Sequence, residues 1–490
     1  MNQRGFYKPH DAWVGDVIPW AEDGVFHLFY LHESRRVPKE GMPWHRVVTE
    51  NVVDFRETGE AIASGGPASA DFNIYTGSIV RDEKGVHHAY YTGQNPAHTG
   101  ADGLARQLVM HATSNDGMQT WARHAADTFG ATDGYETADW RDPYVFWDEE
   151  AQLWRMLITA RHAQGPARRR GVIAQCTSVD LKNWDAAPPF WDPRRYIAHE
   201  CPEVFQWGDW WYLVYSEFSD AFTTRYRMAR SLAGPWIVPE HDSLDGRAFY
   251  AAKSAARDGR RFFFGWIASR EGGNDDGDWQ WAGTLSVLEA EQRDNGTLAF
   301  HPAHELRDTF TEPFHTTLSG AHLSAPDGYV DMLTQEDAPD AVRVVARFTM
   351  AENTSEFGVL LRASADGDKG YSLRLEPKRG RLVFDRWPRR ATGTEQWQIS
   401  GDVPHALELE RPVTLAPGEH ELEVIVDGDI FVATVDNGTV LSTRLYDHPT
   451  GRIGVFVGEG EATITEFSVS TRGDATTAPL AGVELVGARR

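Results

Sequence analysis

The sequence predicts an all-β protein: a five-bladed β-propeller over residues 1–306, followed by a β-sandwich over 319–472. Three observations carry this reading. Five stretches in the first part share one plan, an apolar strand, a tight turn and an answering apolar strand, recurring at roughly 50 to 65 residues. Three of the five open on a carboxylate at the equivalent place: Asp16, Asp142 and Glu200. In the second part, strands with strict apolar–polar alternation meet across Asp-Gly and Asn-Gly turns, the strongest short-range hairpin signals.

The first unit starts at Asp16, turns at Asp23-Gly24 and returns through residues 26–30 (FHLFY). The second runs over 75–80 (YTGSIV), turns at Lys84-Gly85 and returns through 87–91 (HHAYY). The third starts at Asp142, turns at Glu149-Glu150-Ala151 and returns through 153–158 (LWRMLI). The fourth starts at Glu200, turns at Trp207-Gly208-Asp209 and returns through 210–215 (WWYLVY). The fifth runs over 250–254 (YAAKS), turns at Asp258-Gly259 and returns through 261–266 (RFFFGW). In a propeller the first strands of all blades run beside one central axis. Acids at equivalent starts therefore meet at one end of it, however far apart they lie in sequence. Converging carboxylates are what glycoside hydrolysis requires.

The second part changes character. Residues 421–426 (ELEVIV) and 430–435 (IFVATV) flank Asp427-Gly428, and Asn437-Gly438 leads into 440–446 (VLSTRLY). Residues 342–348 and 358–362 alternate in the same way. Two antiparallel sheets packed face to face are expected here. Residues 307–318 read as the linker and 473–490, rich in small residues, as a mobile tail. No long amphipathic helix is visible.

Composition narrows the function classes. A chain of 490 residues that is 41% hydrophobic and carries 18 Trp supports a large core and aromatic faces for stacking on sugars, although any one Trp can equally be blade packing. A net charge of −24 argues against nucleic acid or an anionic membrane as partner. No run of 18 apolar residues occurs, so no membrane span is expected. The N-terminal residues lack the apolar region of a signal peptide, and the two cysteines form no disulfide framework; together these point to the cytoplasm. Asn274-Asp275-Asp276-Gly277-Asp278 lacks the ligand spacing of a calcium loop. His87-His88 has no partner at metal-ligand spacing, and no Gly-rich phosphate loop is present. Neither metal nor cofactor is implied.

Trp140-Arg141-Asp142-Pro143 and Glu200-Cys201-Pro202-Glu203 resemble the "RDP" and "EC" motifs of family 32 glycoside hydrolases, the β-fructofuranosidases. Residues 26–30 resemble the family's "HLFYQ" strand. Trp44 with residues 45–48 and 51–55 resembles "WGHAVS…DLVHW", and Tyr75-Thr76-Gly77-Ser78 resembles "FSGS". Residues 249–252 with Gly265-Trp266 resemble "DFYA…GW", the stretch from Trp281 resembles the segment closing the family's propeller, and residues 441–446 resemble a strand of its C-terminal sandwich. The order is preserved over about residues 5 to 470.

The resemblance implies a retaining glycosidase acting on an oligosaccharide or disaccharide, with Asp16 as nucleophile, Glu200 as general acid/base and Asp142 as transition-state stabiliser. Arg141 would orient sugar and carboxylate. Tyr75, Thr76, Tyr250, Trp266 and Trp44 match sugar-contacting positions, with blade packing as the alternative for each. Glu203 reads as structural. Three departures bear on the sugar. The family's Asn before the nucleophile is Gly15, the Gln of "HLFYQ" is Leu31, and the Asp of "DFYA" is Ala248. A fructosyltransferase with the same acids, a furanosidase for another sugar and a non-catalytic carbohydrate-binding protein stay open as alternatives, as does the oligomeric state.

Overall fold

The computed structural model describes residues 2–388 and 409–473. Strand β1 (Asn2–Arg4) pairs with the outer edge of the first unit, which comprises β2 (Trp13–Glu22), β3 (Val25–Glu33), β4 (Trp44–Thr49) and β5 (Asp54–Ile62). The second unit is β6 (Asn73–Arg81), β7 (His87–Thr99), β8 (Ala105–Ser114) and β9 (Ala122–Arg123). The third is β10 (Tyr135–Asp148), β11 (Leu153–His162), β12 (Gly171–Ser178) and β13 (Asp185–Trp191). The fourth is β14 (Glu200–Trp207), β15 (Trp210–Glu217) and β16 (Thr223–Ala229). The fifth is β17 (Phe249–Arg257), β18 (Arg260–Arg270), β19 (Trp279–Gln292) and β20 (Leu298–Pro302).

Each unit is an antiparallel meander. The first and fifth share one nine-stranded sheet, joined at Val14 opposite Gly283 and by a bridge from Tyr7 to Leu285; taking that seam as a boundary gives five units. Their first strands pack in the cyclic order β2, β6, β10, β14, β17 and back to β2, so the ring closes on itself.

All five first strands break register near their start. The pairing jumps between Val14 and Val17, Tyr75 and Gly77, Arg141 and Tyr144, Glu200 and Glu203, and Tyr250 and Lys253. A bulge adds one residue to one strand and re-aims the side chains around it. Three of these bulges hold a non-glycine residue in the left-handed region: Asp142 at φ 57°, Cys201 at φ 50° and Ala251 at φ 52°. Such conformations cost of order 1 kcal/mol or more each. They persist here because the neighbouring first strands over-determine them. Ser78 Oγ donates to Pro143 O and accepts from Val145 N, both at 2.9 Å. Asp142 N donates to Thr92 Oγ1 at 2.8 Å. Glu203, fully inside, accepts from both the N–H and the hydroxyl of Ser254 at 2.7 Å, so it ties the fourth unit to the fifth.

The C-terminal part departs from expectation in its first segment. The segment expected as a linker contains a strand, β21 (Phe310–Phe314), after a single helical turn at His304–Arg307. β21 pairs with the last strand of the chain, Phe310 opposite Arg472 and Phe314 opposite Val469, with a register shift between Phe310 and Glu312. The expected β-sandwich is present, its two layers linked into one continuous eleven-stranded sheet. Its members are β21, β22 (His322–Leu333), β23 (Ala341–Met350), β24 (Glu356–Ala363), β25 (Gly370–Glu376), β26 (Arg381–Trp387), β27 (Leu409–Pro412), β28 (Glu419–Asp427), β29 (Ile430–Val435), β30 (Thr439–Arg444) and β31 (Arg452–Arg472). The 21-residue β31 belongs to both layers: its first half pairs with β24 and its second half with β23. The turn from one layer to the other comes at Glu459, whose φ is 46°. Phe348, Phe357, Val359, Leu373, Leu422 and Val424 share the core between the layers. The expected mobile tail lies, apart from Gly473, outside the described residues.

Polar anchors fix this part on the ring. The buried Asp245 accepts from Ser442 N and Oγ, and Arg444 donates to Ile267 O, Ala268 O and Thr284 Oγ1. No helix among the described residues is long and apolar enough to cross a membrane.

Candidate active site

The bulges put Asp16, Asp142 and Glu200 on the wall of one cavity of about 400 Å³. Asp16 is held from three other units. Thr76 Oγ1 donates to its Oδ2 at 2.5 Å, Trp266 Nε1 to its Oδ1 at 3.1 Å, and the Cys201 thiol lies 3.6 Å from Oδ2. Asp142 is the most enclosed acid. Its Oδ2 accepts from Thr159 Oγ1 and Cys201 N, both at 3.0 Å. Glu200 is more open than Asp142, with a fifth of its side chain exposed. Its Oε2 accepts from the Tyr250 hydroxyl at 2.6 Å, and its Oε1 from Arg141 Nη2 at 2.9 Å.

Arg141 is shared. It also bonds Asp139 at 2.6 Å and lies 3.8 Å from Asp142. Four carboxyl groups, Asp16, Asp139, Asp142 and Glu200, therefore line a cavity with this one guanidinium among them, while Lys39 is paired with Glu33 at 3.0 Å. Excess negative charge in a partly dry site favours keeping a proton. Burial pushes Asp16 up to about 6, with the Asp142 charge adding to it and the bonds from Thr76 and Trp266 opposing it. Burial likewise raises Glu200 above the usual carboxyl range, against the pull of Arg141 and with the push of Asp142. Burial works against the charge on Arg141, but Glu200 first, then Asp142 and Asp139, hold the guanidinium firmly ionised.

The residues expected to contact sugar divide into two groups. Tyr75 and Arg141 line the cavity. Thr76, Tyr250 and Trp266 are buried and reach the acids themselves. Trp44 lies behind the wall: it is fully buried, and its Nε1 donates to Tyr75 O at 3.1 Å, which holds Tyr75 in place.

The family description "Glycosyl hydrolases family 32 N-terminal domain" matches residues 7–302, more than half of the chain. The chain belongs to glycosyl hydrolase family 32. It is therefore a glycoside hydrolase. A sucrose-6-phosphate hydrolase of Escherichia coli is 26% identical over 479 residues, covering 93% of this chain and 92% of that protein. A levanase of Bacillus subtilis is 25% identical over 464 residues, covering 86% of this chain and 62% of that protein. Among solved structures, fructan 1-exohydrolase IIa from Cichorium intybus superposes with a TM-score of 0.75 at 18% identity, over 96% of this chain and 98% of that one. Sucrose-6-phosphate hydrolase from Lactobacillus gasseri gives 0.73 at 17% identity, over 96% and 93%. At such identities the structural matches speak for the fold.

Within this family 32 chain, sequence reasoning missed Glu33, Lys39, Met42, Gln107, Asp139 and Trp281 as parts of the cavity wall. Asp139 stands directly before Trp140-Arg141-Asp142, so its place in the motif was a usable signal. Gln107 lies on β8, the third strand of the second unit, and accepts from Trp140 N and Arg141 Nη1 of the next unit's first strand. No spacing rule reaches it. One group among the described residues has metal-like composition, Glu289 with His301 and His304. None of the three lines this cavity, and Glu289 already accepts two bonds from Arg260 at 2.7 Å.

Proposed function

We propose that this glycoside hydrolase releases β-linked fructofuranosyl units from short saccharides with retention of configuration. The observation that carries the reading is the set of three acids on one cavity wall, with Arg141 bridging Glu200 to Asp139 and Asp142. Glu200 is the general acid. Its raised proton affinity supplies a proton to the glycosidic oxygen while Tyr250 and Arg141 hold the carboxyl in place. Asp16 is the nucleophile. Its carboxylate attacks the anomeric carbon as the bond to the leaving group breaks, giving a covalent glycosyl-enzyme and a protonated leaving group. Trp266 and Thr76 fix the attacking oxygens. In the second step Glu200, now ionised, takes a proton from water; the water oxygen attacks the anomeric carbon, and Asp16 leaves as carboxylate. Asp142 faces the sugar while positive charge develops on the ring.

A cavity of about 400 Å³ is at the small end of ligand pockets and suits attack at the end of a short saccharide. Two free, buried cysteines fit a reducing cytoplasm. We take the domain division to fall just after residue 306. The relatives named sucrose-6-phosphate hydrolase and levanase support fructosides as the substrate class. The test is incubation with sucrose, inulin-type and levan-type oligosaccharides and non-fructose furanosides, with products separated by chromatography. Release of free fructose from at least one fructoside is expected. Transfer products without free fructose would identify a transferase, and cleavage confined to another furanoside would overturn the substrate assignment.

A further inference from the structure

We propose that Trp281 is a specificity-determining contact for the transferred sugar, and that Gly15 is a glycine to make room for it. This rests on the proposed double displacement at Asp16. A Cβ built on Gly15 would stand 2.5 Å from Trp281 Cη2, 3.0 Å from Cζ2 and 2.9 Å from Leu31 Cβ. The backbone at Gly15 is not left-handed, so space and not conformation requires the glycine. Trp281 and Leu31, with Met42, form an apolar stretch of the cavity wall next to the nucleophile.

The Trp281 ring is held but not enclosed. It meets Trp266 edge-on at 6.0 Å, and Trp266 bonds Asp16. Arg35, seated over the Trp13 ring at 4.0 Å, donates to Trp281 O at 2.8 Å and Ala282 O at 3.1 Å, which anchors the backbone. Yet 38% of Trp281 is exposed, whereas Trp266 is fully buried. A large aromatic surface kept open beside a nucleophile offers a stacking face.

The chemistry decides which part of the substrate meets it. In a retaining mechanism the acid sits by the leaving-group oxygen and the nucleophile on the opposite face of the anomeric carbon. Glu200, with Tyr250 and Arg141, marks the leaving-group side. Gly15, Leu31 and Trp281 adjoin Asp16 and mark the side of the sugar that becomes covalently bound. Its C–H face rests on the indole, whose π-face offers apolar contact rather than a hydrogen bond to a hydroxyl. The sugar touches Trp281 in both steps, before and after the leaving group has gone.

The test measures kcat/KM of wild type, Trp281→Ala, Trp281→Phe, Gly15→Ala and the Gly15→Ala/Trp281→Ala double variant. The substrates are sucrose, 1-kestose and an aryl β-fructofuranoside, which share the fructosyl unit and differ in the leaving group. Trp281→Ala is expected to lose roughly tenfold or more on all three, by the same factor on each. Trp281→Phe keeps most of the activity. Gly15→Ala, whose new methyl displaces the ring, loses activity in the same pattern, and the double variant is no worse than Trp281→Ala alone. A loss that differs strongly between leaving groups would assign the platform to the other side of the bond and overturn the proposal. Full activity of Gly15→Ala and Trp281→Phe together with any Trp281→Ala defect confined to folding would also overturn it. Wild type inactive on all three fructosides would instead sink the proposed function itself.

Discussion

Replacing Asp16 by Asn should stabilise the protein at neutral pH while abolishing its chemistry. The ordinary carboxyl value is 3.8, and burial with the Asp142 charge pushes Asp16 to about 6. The folded state therefore holds a proton on Asp16 between those values that the unfolded chain has released. Stability contributed by that proton is present at low pH and lost as pH rises through the folded value, so above about pH 6 the ionised Asp16 costs the fold its full amount. A displacement of this size corresponds to about 3 kcal/mol. That figure is an upper limit, because water in the open cavity screens part of it. Asn carries no such cost. It also keeps the local bonds: its oxygen can accept from Trp266 Nε1 while its amide donates to Thr76 Oγ1, whose hydroxyl reverses role. Thermal midpoints of wild type and Asp16→Asn should be compared from about pH 4 to about pH 8. The two should coincide at the acid end and separate steadily above it, the variant being the more stable. A variant that is less stable throughout, or a difference that does not change with pH, would refute the account of a strained buried carboxylate.

Three further outcomes are expected. Glu200→Gln should keep much of its first step on an activated aryl fructoside and be rescued by azide, whereas Asp16→Asn should show neither behaviour; identical responses in product-release assays would mean the two roles are misassigned. Tyr250→Phe removes a donor to the Glu200 carboxylate, so Glu200 should hold its proton to higher pH and the basic limb of the kcat/KM profile should move up; a profile that stays put would remove Tyr250 from the acid's control. Arg141→Ala leaves Asp139, Asp142 and Glu200 without their shared cation and should destabilise the fold by about 3–5 kcal/mol in denaturant titrations, with the deficit shrinking as pH falls and the carboxyls protonate.

The site was legible in the sequence as far as local rules reach. Asp16, Asp142 and Glu200 could be brought together because each stands at the same place in a hairpin repeat, and a repeat predicts convergence once a ring is assumed. The Asp427-Gly428 turn likewise predicted the pairing of β28 with β29, which the structure has in register from Leu422 opposite Val435 to Asp427 opposite Ile430. Glu203 reads as structural in the sequence, and in the structure its carboxylate accepts from Ser254 N and Oγ. Beyond such signals the reading stopped. The strand at Phe310–Phe314 was taken as linker because its partner, β31, lies about 150 residues away in sequence and gives no local cue.

What the sequence by itself determined is the all-β class, the position of the hairpins and the identity of the acids, because strand alternation and turn chemistry act between neighbours. Tertiary structure alone decided how those acids work. A bulge leaves no mark in composition: it is one extra residue whose unfavourable φ at Asp142 or Cys201 is supported from other strands, where Asp142 N donates to Thr92 Oγ1, Cys201 N donates to Asp142 Oδ2, and Ser78 and Thr159 donate to the adjoining carbonyls of Pro143 and His199. The pairing of Arg141 with Glu200 of the next unit, and the seating of Trp281 on Gly15 across more than 260 positions, are contacts between segments that meet only in the folded ring. Proton affinity depends on such contacts, and so it is a property of the folded ring and not of any motif within it.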